Sequence, residues 1–585
     1  MPLARPTSQI PNAAWTSGFR EMTEPWKGAV GCLGVAIFFA MTIGIISWQA
    51  LEQPLEEWVD RCWHDGGQFC YTWEEDAELR LSLEPPLAPD TECYSVRWTP
   101  LRPDVMLKDC FSMANVSWYG GASIRAQRWP LNRAESQAQP FVSGDFSKNP
   151  AGYGPVLERY FLSSTGVTVM VAHDVPLFLS LESNRQFCLG TPAGRAAETL
   201  RYVLCISPAS FPPGCTRCKP RWLFPPHRSP IWRYYGPVGS AAKIKRGLRS
   251  LAKRLKRHHL QEGVLALGER CTGILAAAAD VPWEQRKRHD SPHAWDPALI
   301  QPLKLSLTLS PYASIASPLL LRSLYWLSLQ PRVGGCSVPL LTTWQGRPGA
   351  RRDELAGDRY AGVLAAALAT LGNTTVISAG ARSSHLPLFV QMSPQRSDWS
   401  HAGLKGVIPS VLHYSLLGYN FFIPDVVGGS LAGDATGDPE LYVRWLQIVT
   451  FLPVMAFSTP PWLCCDAWVL NLTRQCIQRH RDFVVPLLIK YSEEWLGLGY
   501  PIFRPAWWLS PTDPTAFTVE DEFLIGDEVL VAPITEKGQM WRDVYLPGKG
   551  HLWMDTNTAR VFDGGTMLRN YSASLAEVLV FVKTS

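Results

Sequence analysis

An uncharged, apolar segment near the N-terminus is the feature that most constrains this chain of 585 residues. Residues 28–48 read GAVGCLGVAIFFAMTIGIISW, and about twenty apolar helical residues span a bilayer. A secretory signal would be shorter and would end in small residues, which leaves a buried core helix as the alternative. Trp26 and Trp48 flank the segment, as aromatic residues do at membrane surfaces. We predict a transmembrane signal-anchor at 28–48, between a cytoplasmic tail at 1–27 and a stalk at 49–75.

The flanking charges predict the orientation of this helix. Arg5, Arg20 and Lys27 precede it, whereas Arg61 is the only basic residue close after it. Basic residues favour the cytoplasmic side, so we expect a type II membrane protein whose C-terminal region is lumenal or extracellular. Glycosylation sequons support that orientation because all of them follow the helix. They begin at Asn115, Asn373, Asn471 and Asn570.

Fourteen cysteines, thirteen of them beyond the apolar segment, indicate an oxidising compartment with several disulfide bonds. Cys215 and Cys218 form a CxxC pair, which has three interpretations. A zinc site would need a second ligand pair, and a redox centre would need a preceding thioredoxin-like strand. Neither is present in the sequence, so structural disulfide bonds are favoured. We expect no metal and no cofactor.

The charge of the chain is nearly balanced, at +4, which gives no general attraction to nucleic acid. Basic residues are nevertheless concentrated at 243–257, inside a predicted amphipathic helix at 241–259. This run could bind an acidic ligand, or it could be a solvated helix face. The oligomeric state is not indicated by the sequence.

Hydrophobic periodicity divides the part beyond the stalk into three regions. Residues 76–222 alternate apolar and polar positions between turns, which predicts a β-sandwich. Residues 223–513 alternate strand-like and helix-like runs, which predicts a parallel (β/α)8-type TIM barrel. Residues 514–585 return to short strands and predict a second β-sandwich. Within the barrel, the candidate strands lie at 264–267, 304–309 and 374–378, and the candidate helices at 360–371 and 404–417.

Several short sequence motifs, together with this order of regions, resemble those of glycoside hydrolase family 31, the α-glucosidase family. The resemblance covers most of the chain beyond the stalk and implies a glycosidase that hydrolyses O-glycosyl bonds in carbohydrate. The matching words are WYGG at 118–121, PFVSGD at 140–145, LGYNFFIPDVVGG at 417–429, ELYVRWLQ at 440–447, YPIFRP at 500–505 and EFLIGDEVLVAP at 522–533.

The resemblance also implies where a retaining glycosidase should carry its two carboxyl groups. The nucleophile should follow a segment whose start is matched by TWQGRPGA at 343–350. Residues 351–358 then lead directly into the next predicted helix, so the strand with its Asp is missing and the barrel is apparently shortened. Asp353, Glu354 and Asp358 lie nearby, but their context is that of a solvated loop.

The general acid should lie roughly thirty residues before Asp425, and that position holds Arg396. Asp398 is the nearest carboxyl group, so Asp398 and Asp425 are the candidate catalytic residues. A sugar-binding Asp of the family corresponds to Gly268, with Glu269 beside it. The candidate substrate-binding residues are Trp232, Glu269, Trp344 and Arg444, although Trp232 could equally belong to the core.

Three functions remain open. The chain could be a working α-glycosidase with displaced carboxylates, or a non-catalytic relative that binds a glycan or a protein. It could also bind anions through the basic run at 243–257. The loss of the nucleophile favours impaired catalysis, because neighbouring residues rarely meet the geometry that covalent catalysis requires.

Overall fold

The computed structural model describes most of the chain beyond the stalk. The described residues are 63–64, 68–73, 76–86, 91–144, 146, 149–191, 199–207, 229–236, 241–267, 304–309, 339–341, 365–366, 376–377, 380–386 and 388–584. No helix within these ranges is both long and apolar enough to cross a membrane. The predicted segments at 1–27 and 28–48, and the pair Cys215 and Cys218, lie outside the described residues.

The first unit is a β-sandwich of an eight-stranded and a four-stranded antiparallel sheet. The larger sheet has the order β1-β2-β3-β4-β12-β9-β8-β6, and the smaller has the order β5-β11-β10-β7. The strands are β1 (Trp63–His64), β2 (Gln68–Trp73), β3 (Ala77–Glu84), β4 (Glu92–Pro100), β5 (Lys108–Ser112), β6 (Trp118–Ala122), β7 (Ser136–Pro140), β8 (Leu157–Ser163), β9 (Val167–Val171), β10 (Phe178–Glu182), β11 (Gln186–Gly190) and β12 (Leu200–Ile206).

Alternation of side chains explains this sandwich. In β4, Val96 and Trp98 are buried while Arg97 between them is exposed. The two buried residues join Phe187 of β11 in one core between the sheets. Each sheet carries a cross-strand disulfide bond, which confirms the prediction of disulfide bonds. The bonds are Cys93–Cys205 between β4 and β12, and Cys110–Cys188 between β5 and β11.

The second unit is a barrel of eight parallel strands with helices outside it. Its strands are β13 (Ile231–Tyr234), β14 (Val264–Leu267), β15 (Lys304–Leu309), β16 (Pro339–Leu341), β17 (Val376–Ile377), β18 (Phe389–Gln391), β19 (Phe422–Ile423) and β20 (Ala456–Phe457). Its helices are α1 (Ala241–Arg257), α2 (Val407–Leu416), α3 (Pro439–Val449), α4 (Pro461–Cys464), α5 (Ala467–Arg479) and α6 (Val485–Leu498), with a π-helix at His480–Val484 between the last two.

The strands of the barrel are hydrogen-bonded in chain order, and the first also pairs with the last. Ile231 of β13 is in register with Ala456 of β20. On the other side, the Val427 N–H, just after β19, donates to the Ala456 carbonyl at 2.9 Å. Eight strands are the number of a complete TIM barrel. The described strands therefore fill all eight positions of the barrel, in contrast to the expectation that one strand is missing.

Local signals in the sequence start and stop the barrel helices. The Asp438 carboxylate caps α3 by accepting from the Glu440 N–H at 3.0 Å, and Pro439 occupies the first helical position. Asp466 caps α5 in the same way. At the end of α6, Gly499 adopts a φ of 81°, which few other residues tolerate. Such caps fix the helix termini against the barrel.

The third unit is a β-structure of a six-stranded sheet, β21-β22-β23-β28-β25-β26, and a two-stranded sheet, β24-β27. Residues from both sheets, including Leu530, Val544 and Phe581, share one core. The strands are β21 (Phe503–Arg504), β22 (Phe523–Ile525), β23 (Val529–Ala532), β24 (Trp541–Leu546), β25 (Leu552–Asp555), β26 (Val561–Asp563), β27 (Thr566–Ser572) and β28 (Leu579–Lys583).

Candidate functional site

The loops that follow β18 and β19 meet at the C-terminal mouth of the barrel, where TIM-barrel enzymes carry their active sites. The N–H groups of Ser430 and Leu431 both donate to the Gln395 carbonyl, at 3.1 and 2.9 Å. In return, the Ser397 N–H donates to the Leu431 carbonyl at 2.9 Å. The loops that carry Asp398 and Asp425 are therefore neighbours, and backbone hydrogen bonds connect them.

Asp425 is buried and holds these two loops together. Its Oδ2 accepts from the Gln395 N–H at 2.7 Å, the Ser430 N–H at 2.9 Å and the Ser430 hydroxyl at 2.7 Å. Burial raises the pKa of Asp425, whereas the Gln395 N–H and the nearby Arg233 charge oppose that rise. The contacts of this carboxyl group are those of a loop anchor.

Asp398 has all of its strong contacts within its own turn. Its Oδ1 accepts from the Ser400 N–H at 3.1 Å and the Ser400 hydroxyl at 2.6 Å, and its Oδ2 accepts from Arg396 Nε at 2.6 Å. Burial acts to raise its pKa, but the Ser400 and Arg396 bonds outweigh it and hold the pKa of Asp398 below the usual value. Asp398 is thus an ionised carboxylate engaged by a cation.

Arg396 occupies the position at which the family pattern places the general acid. Its guanidinium pairs with Asp398 and lies 3.4 Å from Asp434, which is exposed. The hydrogen bond and the charge of Asp398 raise the pKa of Arg396 further. An arginine remains charged at neutral pH, so this position holds a fixed cation where an acid would exchange a proton.

Arg233 is a residue of the barrel mouth that the sequence analysis did not identify. Its Nη2 donates to Gln391 Oε1, across the barrel from β13 to β18. The Gln391 amide is oriented for this contact because its Nε2 donates to the carbonyls of Met392 and Ile423, at 3.1 and 3.2 Å. Arg233 is half-buried, and the guanidinium has five N–H donors. It can therefore offer donors to a ligand in the mouth.

Trp232 does not form a sugar platform, and the core alternative is the correct one. Successive side chains of a strand point to opposite faces, so Trp232 faces away from Arg233. Only 1% of Trp232 is exposed, and its ring stacks on Phe457 with centroids 4.7 Å apart. Trp462 lies on the same side, at 6.3 Å. Trp232 packs between the strands and the outer helices.

Arg444 also has a structural role and not the predicted substrate contact. It is fully buried in α3, and its Nη2 donates to the Gln539 carbonyl of the C-terminal unit at 2.7 Å. Its Nη1 donates to Gln447 Oε1 at 3.2 Å, and Gln447 in turn donates to the Leu575 carbonyl at 2.8 Å. The RWxQ motif at 444–447, which is part of the resemblance, therefore joins the barrel to the third unit.

Glu269 and Trp344 lie outside the described residues, as do Asp353, Glu354 and Asp358. Three of the predicted glycosylation sites, Asn115, Asn471 and Asn570, are exposed, whereas Asn373 is not described. Two exposed aromatic side chains come after barrel strands. Tyr235, 53% exposed, directly follows β13, and Trp468, 43% exposed, is the second residue of α5, which follows β20 and α4.

Comparison with known proteins now gives the family. Residues 499–585 match the family model of the glycosyl hydrolase family 31 C-terminal domain. The SITS-binding protein of Tetronarce californica is 42% identical over 671 positions, which cover 97% of this chain and 95% of that protein. The chain belongs to glycoside hydrolase family 31. Another relative, the myogenesis-regulating glycosidase of Mus musculus, is 28% identical over 90% of this chain and 83% of its own length.

Solved structures of family 31 share the fold of this chain. A dextranase from Flavobacterium johnsoniae, complexed with isomaltotriose, has a TM-score of 0.62 at 17% identity, over 89% of this chain and 72% of the dextranase. An α-xylosidase from a soil metagenome, complexed with xylose, also has a TM-score of 0.62, at 14% identity, over 89% of this chain and 98% of the xylosidase. These structures carry a TIM barrel with β-sandwich units, as this family 31 chain does.

Proposed function

We propose that this protein is a non-catalytic member of glycoside hydrolase family 31 whose barrel mouth binds a glycan. We propose further that a transmembrane helix at 28–48 holds this region in the lumen or outside the cell. The observation that carries the first proposal is the engagement of both candidate carboxyl groups. Asp398 is paired with Arg396, and Asp425 anchors two loops.

Retaining hydrolysis requires two carboxyl groups about 5–5.5 Å apart across the sugar, one ionised and one protonated. Asp398 has a lowered pKa and an ion pair, so it does not supply the proton. Asp425 is only 3% exposed, and one of its oxygens is filled by three donors. Neither residue therefore has the freedom that an acid or a nucleophile needs.

Differences from the relatives support the same conclusion. The alignment with the SITS-binding protein runs over 671 positions, more than the 585 residues of this chain. It must therefore include segments that the relative has and this chain lacks. The barrel strands before and after residues 343–350, β16 (Pro339–Leu341) and β17 (Val376–Ile377), have no carboxyl group within them. The lack of a carboxyl group in these strands agrees with the absence of the nucleophile motif from the sequence.

Features suited to sugar recognition remain at the mouth. Arg233 can donate hydrogen bonds there. Tyr235, two residues further along the chain, and Trp468, in the first turn of α5, expose aromatic rings that a glycan in the mouth could extend to. Aromatic faces pack on the apolar faces of sugars while charged donors bind the hydroxyl groups. These groups would bind a glycan without cleaving it.

The test measures cleavage and binding on the same full-length, detergent-solubilised protein. We expect no turnover of any member of a panel of nitrophenyl α-glycosides. We also expect retention of specific glycans on an array, weakened by Arg233→Gln and unchanged by Arg97→Gln, a distant exposed control. Turnover that is lost in Asp398→Asn or Asp425→Asn would establish a working glycosidase instead. Retention of a protein in place of any glycan would also contradict the proposal.

A further inference from the structure

A second surface, outside the barrel mouth, has an unusual concentration of positive charge. Helix α1 reads AAKIKRGLRSLAKRLKR, with a Lys or Arg at eight of its 17 positions and no acidic residue. The mouth does not use this helix, and the roughly balanced charge of the whole chain does not explain it.

Packing fixes which side of α1 faces the solvent. Ile244, Leu248 and Leu255 lie on one side of the helix and are 0–1% exposed in the core of the barrel. The cationic side chains lie on the opposite side. The exposed ones are Lys243, Arg246, Arg249, Lys253, Arg254, Lys256 and Arg257.

Among the described residues, no carboxylate pairs with these cations. Within the part of the chain that the structure describes, none of the seven forms an ion pair, and Glu262, just beyond the helix, pairs with Arg481 at 3.0 Å. Like charges three or four positions apart cost a few tenths of a kcal/mol each. Such pairs recur along α1, from Lys243 with Arg246 to Lys253 with Lys256. The buried face holds the helix together against this repulsion.

The positive field extends past the end of α1. Arg474 of α5 donates its Nε to the His258 carbonyl at 2.9 Å, which brings another guanidinium beside the last turn. The His258 ring stacks on Trp462, with centroids 4.8 Å apart. Burial, and then the charges of Arg474, Arg257 and Arg254, lower the pKa of His258. Burial and these three positive charges therefore act in the same direction on His258, at the end of the cationic helix.

The exposed cations form a row and not a cluster. Lys243, Arg246, Arg249, Lys253 and Lys256 follow one another at three- or four-residue intervals, so they lie along one side of the helix. At 1.5 Å per residue, the row is about 20 Å long. A linear polyanion fits such a row because successive charges of the ligand can meet successive cations.

We propose that α1 binds a linear sulfated polysaccharide. Insertion into a membrane is disfavoured because the apolar residues of the helix are already buried in the core. This inference rests on the proposed lumenal or extracellular location of the barrel. That location favours a polysaccharide over nucleic acid as the ligand. The inference does not rest on the proposed role of the barrel mouth.

The experiment uses heparin as the probe and the full-length protein in detergent. One variant changes Arg246, Arg249, Lys253 and Lys256 to Gln. Its matched control changes Arg97, Arg185, Lys549 and Arg560 to Gln, which are exposed, form no ion pair in the described chain and lie in the other two units. Affinity is measured as a function of salt concentration, since displaced counterions report the number of contacts.

We expect the α1 variant to bind heparin more weakly, with a slope of log Kd against log salt smaller by about three to four. The control variant should retain most of the affinity, and desulfated heparin should not bind. Equal losses in both variants would show a response to net charge and would overturn the proposal. Binding to phosphatidylserine vesicles without binding to heparin would also overturn it, in favour of a lipid surface.

A measurement on the unaltered protein removes any dependence on folding of the variant. Bound heparin should protect Lys243, Lys253 and Lys256 from acetylation, as read by mass spectrometry, while Lys549 remains reactive. Equal acetylation of all four lysines with and without heparin would contradict the proposal. Turnover of glycosides is a separate readout, so failure here is distinguishable from failure of the proposed function.

Discussion

Glu520 is a single carboxylate that joins three parts of the molecule. It lies 2.9 Å from Arg128 and 2.8 Å from Arg133 of the N-terminal sandwich, and 3.5 Å from His401 of the barrel. Burial alone would raise its pKa, but His401 and the two arginines lower the pKa of Glu520 to about 2. A depressed pKa of this kind stabilises the folded state whenever the carboxyl group is ionised.

We predict that Glu520→Gln lowers the free energy of unfolding at pH 7 by on the order of 2–3 kcal/mol. Because the folded pKa lies below the unfolded one, the contribution is complete above about pH 4.5 and disappears as the pH falls toward 2. Thermal unfolding at pH 7 and at pH 3.5 should therefore show a smaller difference between variant and wild type at the lower pH. Glu528→Gln, an exposed control paired with Lys490, should change little at either pH.

Asp425 gives a second prediction at this scale. Asp425→Asn removes the charge from an oxygen with three donors, so we expect a loss of about 2 kcal/mol in the free energy of unfolding. Asp434→Asn is the matched control, because its side chain is 93% exposed and its contact with Arg396 is long. Chemical denaturation measures both. A stable Asp425→Asn protein that has lost a glycosidase activity would contradict the structural role.

The sequence predicted part of the candidate site. The family motifs identified Asp398 and Asp425 as candidate catalytic residues, and the structure places them on adjacent loops, while their catalytic role stays a prediction. The sequence analysis named Trp232 as a candidate and missed its neighbour Arg233. The two residues are adjacent in one strand, so only the register of that strand decides which of them faces the mouth. The register of β13 depends on its pairing with β14 and β20, which no local pattern encodes. Arg444 was misassigned since its partner, the Gln539 carbonyl, lies in another unit.

At the scale of the elements, Gly247 in α1 has a specific packing reason. Glycine inside a helix normally costs about 1 kcal/mol relative to alanine. Here a Cβ at this position would lie 1.8 Å from the Tyr234 Oη of β13. The glycine lets the helix approach the barrel closely, and the helical pattern of the sequence gives no sign of it.

We predict that Gly247→Ala destabilises the protein by about 1–3 kcal/mol, contrary to helix propensity, because of this clash. The unfolding temperature should fall. Ser250→Ala, on the exposed side of the same helix, should leave it unchanged or raise it slightly. Removing the obstructing hydroxyl in a Tyr234→Phe, Gly247→Ala double variant should recover part of the loss. A Gly247→Ala protein more stable than wild type would show that the close approach is unimportant.

Element prediction from sequence succeeded where periodicity was strong and failed where a strand was very short. The strands β14 and β15 and the helix α2 agree with the predicted segments, and β17 lies inside its predicted range. The strand β16 was missed because Pro339–Leu341 is too short for any periodic pattern. Its membership of the sheet comes from pairing with β15 and β17.

For the whole molecule, the proposed orientation in the membrane can be measured. In mammalian cells, we expect peptide N-glycosidase F to increase the mobility of the protein. Each sequon substitution should reduce the apparent mass of the protein by one N-glycan, because all three positions are exposed. The substitutions are Asn115→Gln, Asn471→Gln and Asn570→Gln. In sealed microsomes, an N-terminal tag should be digested by added protease while the body is protected. A protected tag, or no change in mobility, would contradict the orientation.

Pairing between the first and last barrel strands has a consequence during synthesis. Ribosomes release the chain from its N-terminus at about 5–20 residues per second, so early strands wait for late ones. The sandwich that ends with β12 can assemble first, with the bonds Cys93–Cys205 and Cys110–Cys188. The barrel cannot close until β20 has emerged and Ala456 can reach Ile231. Until then the nascent chain would expose the inner face of an open sheet, and chaperones would meet the protein in that state.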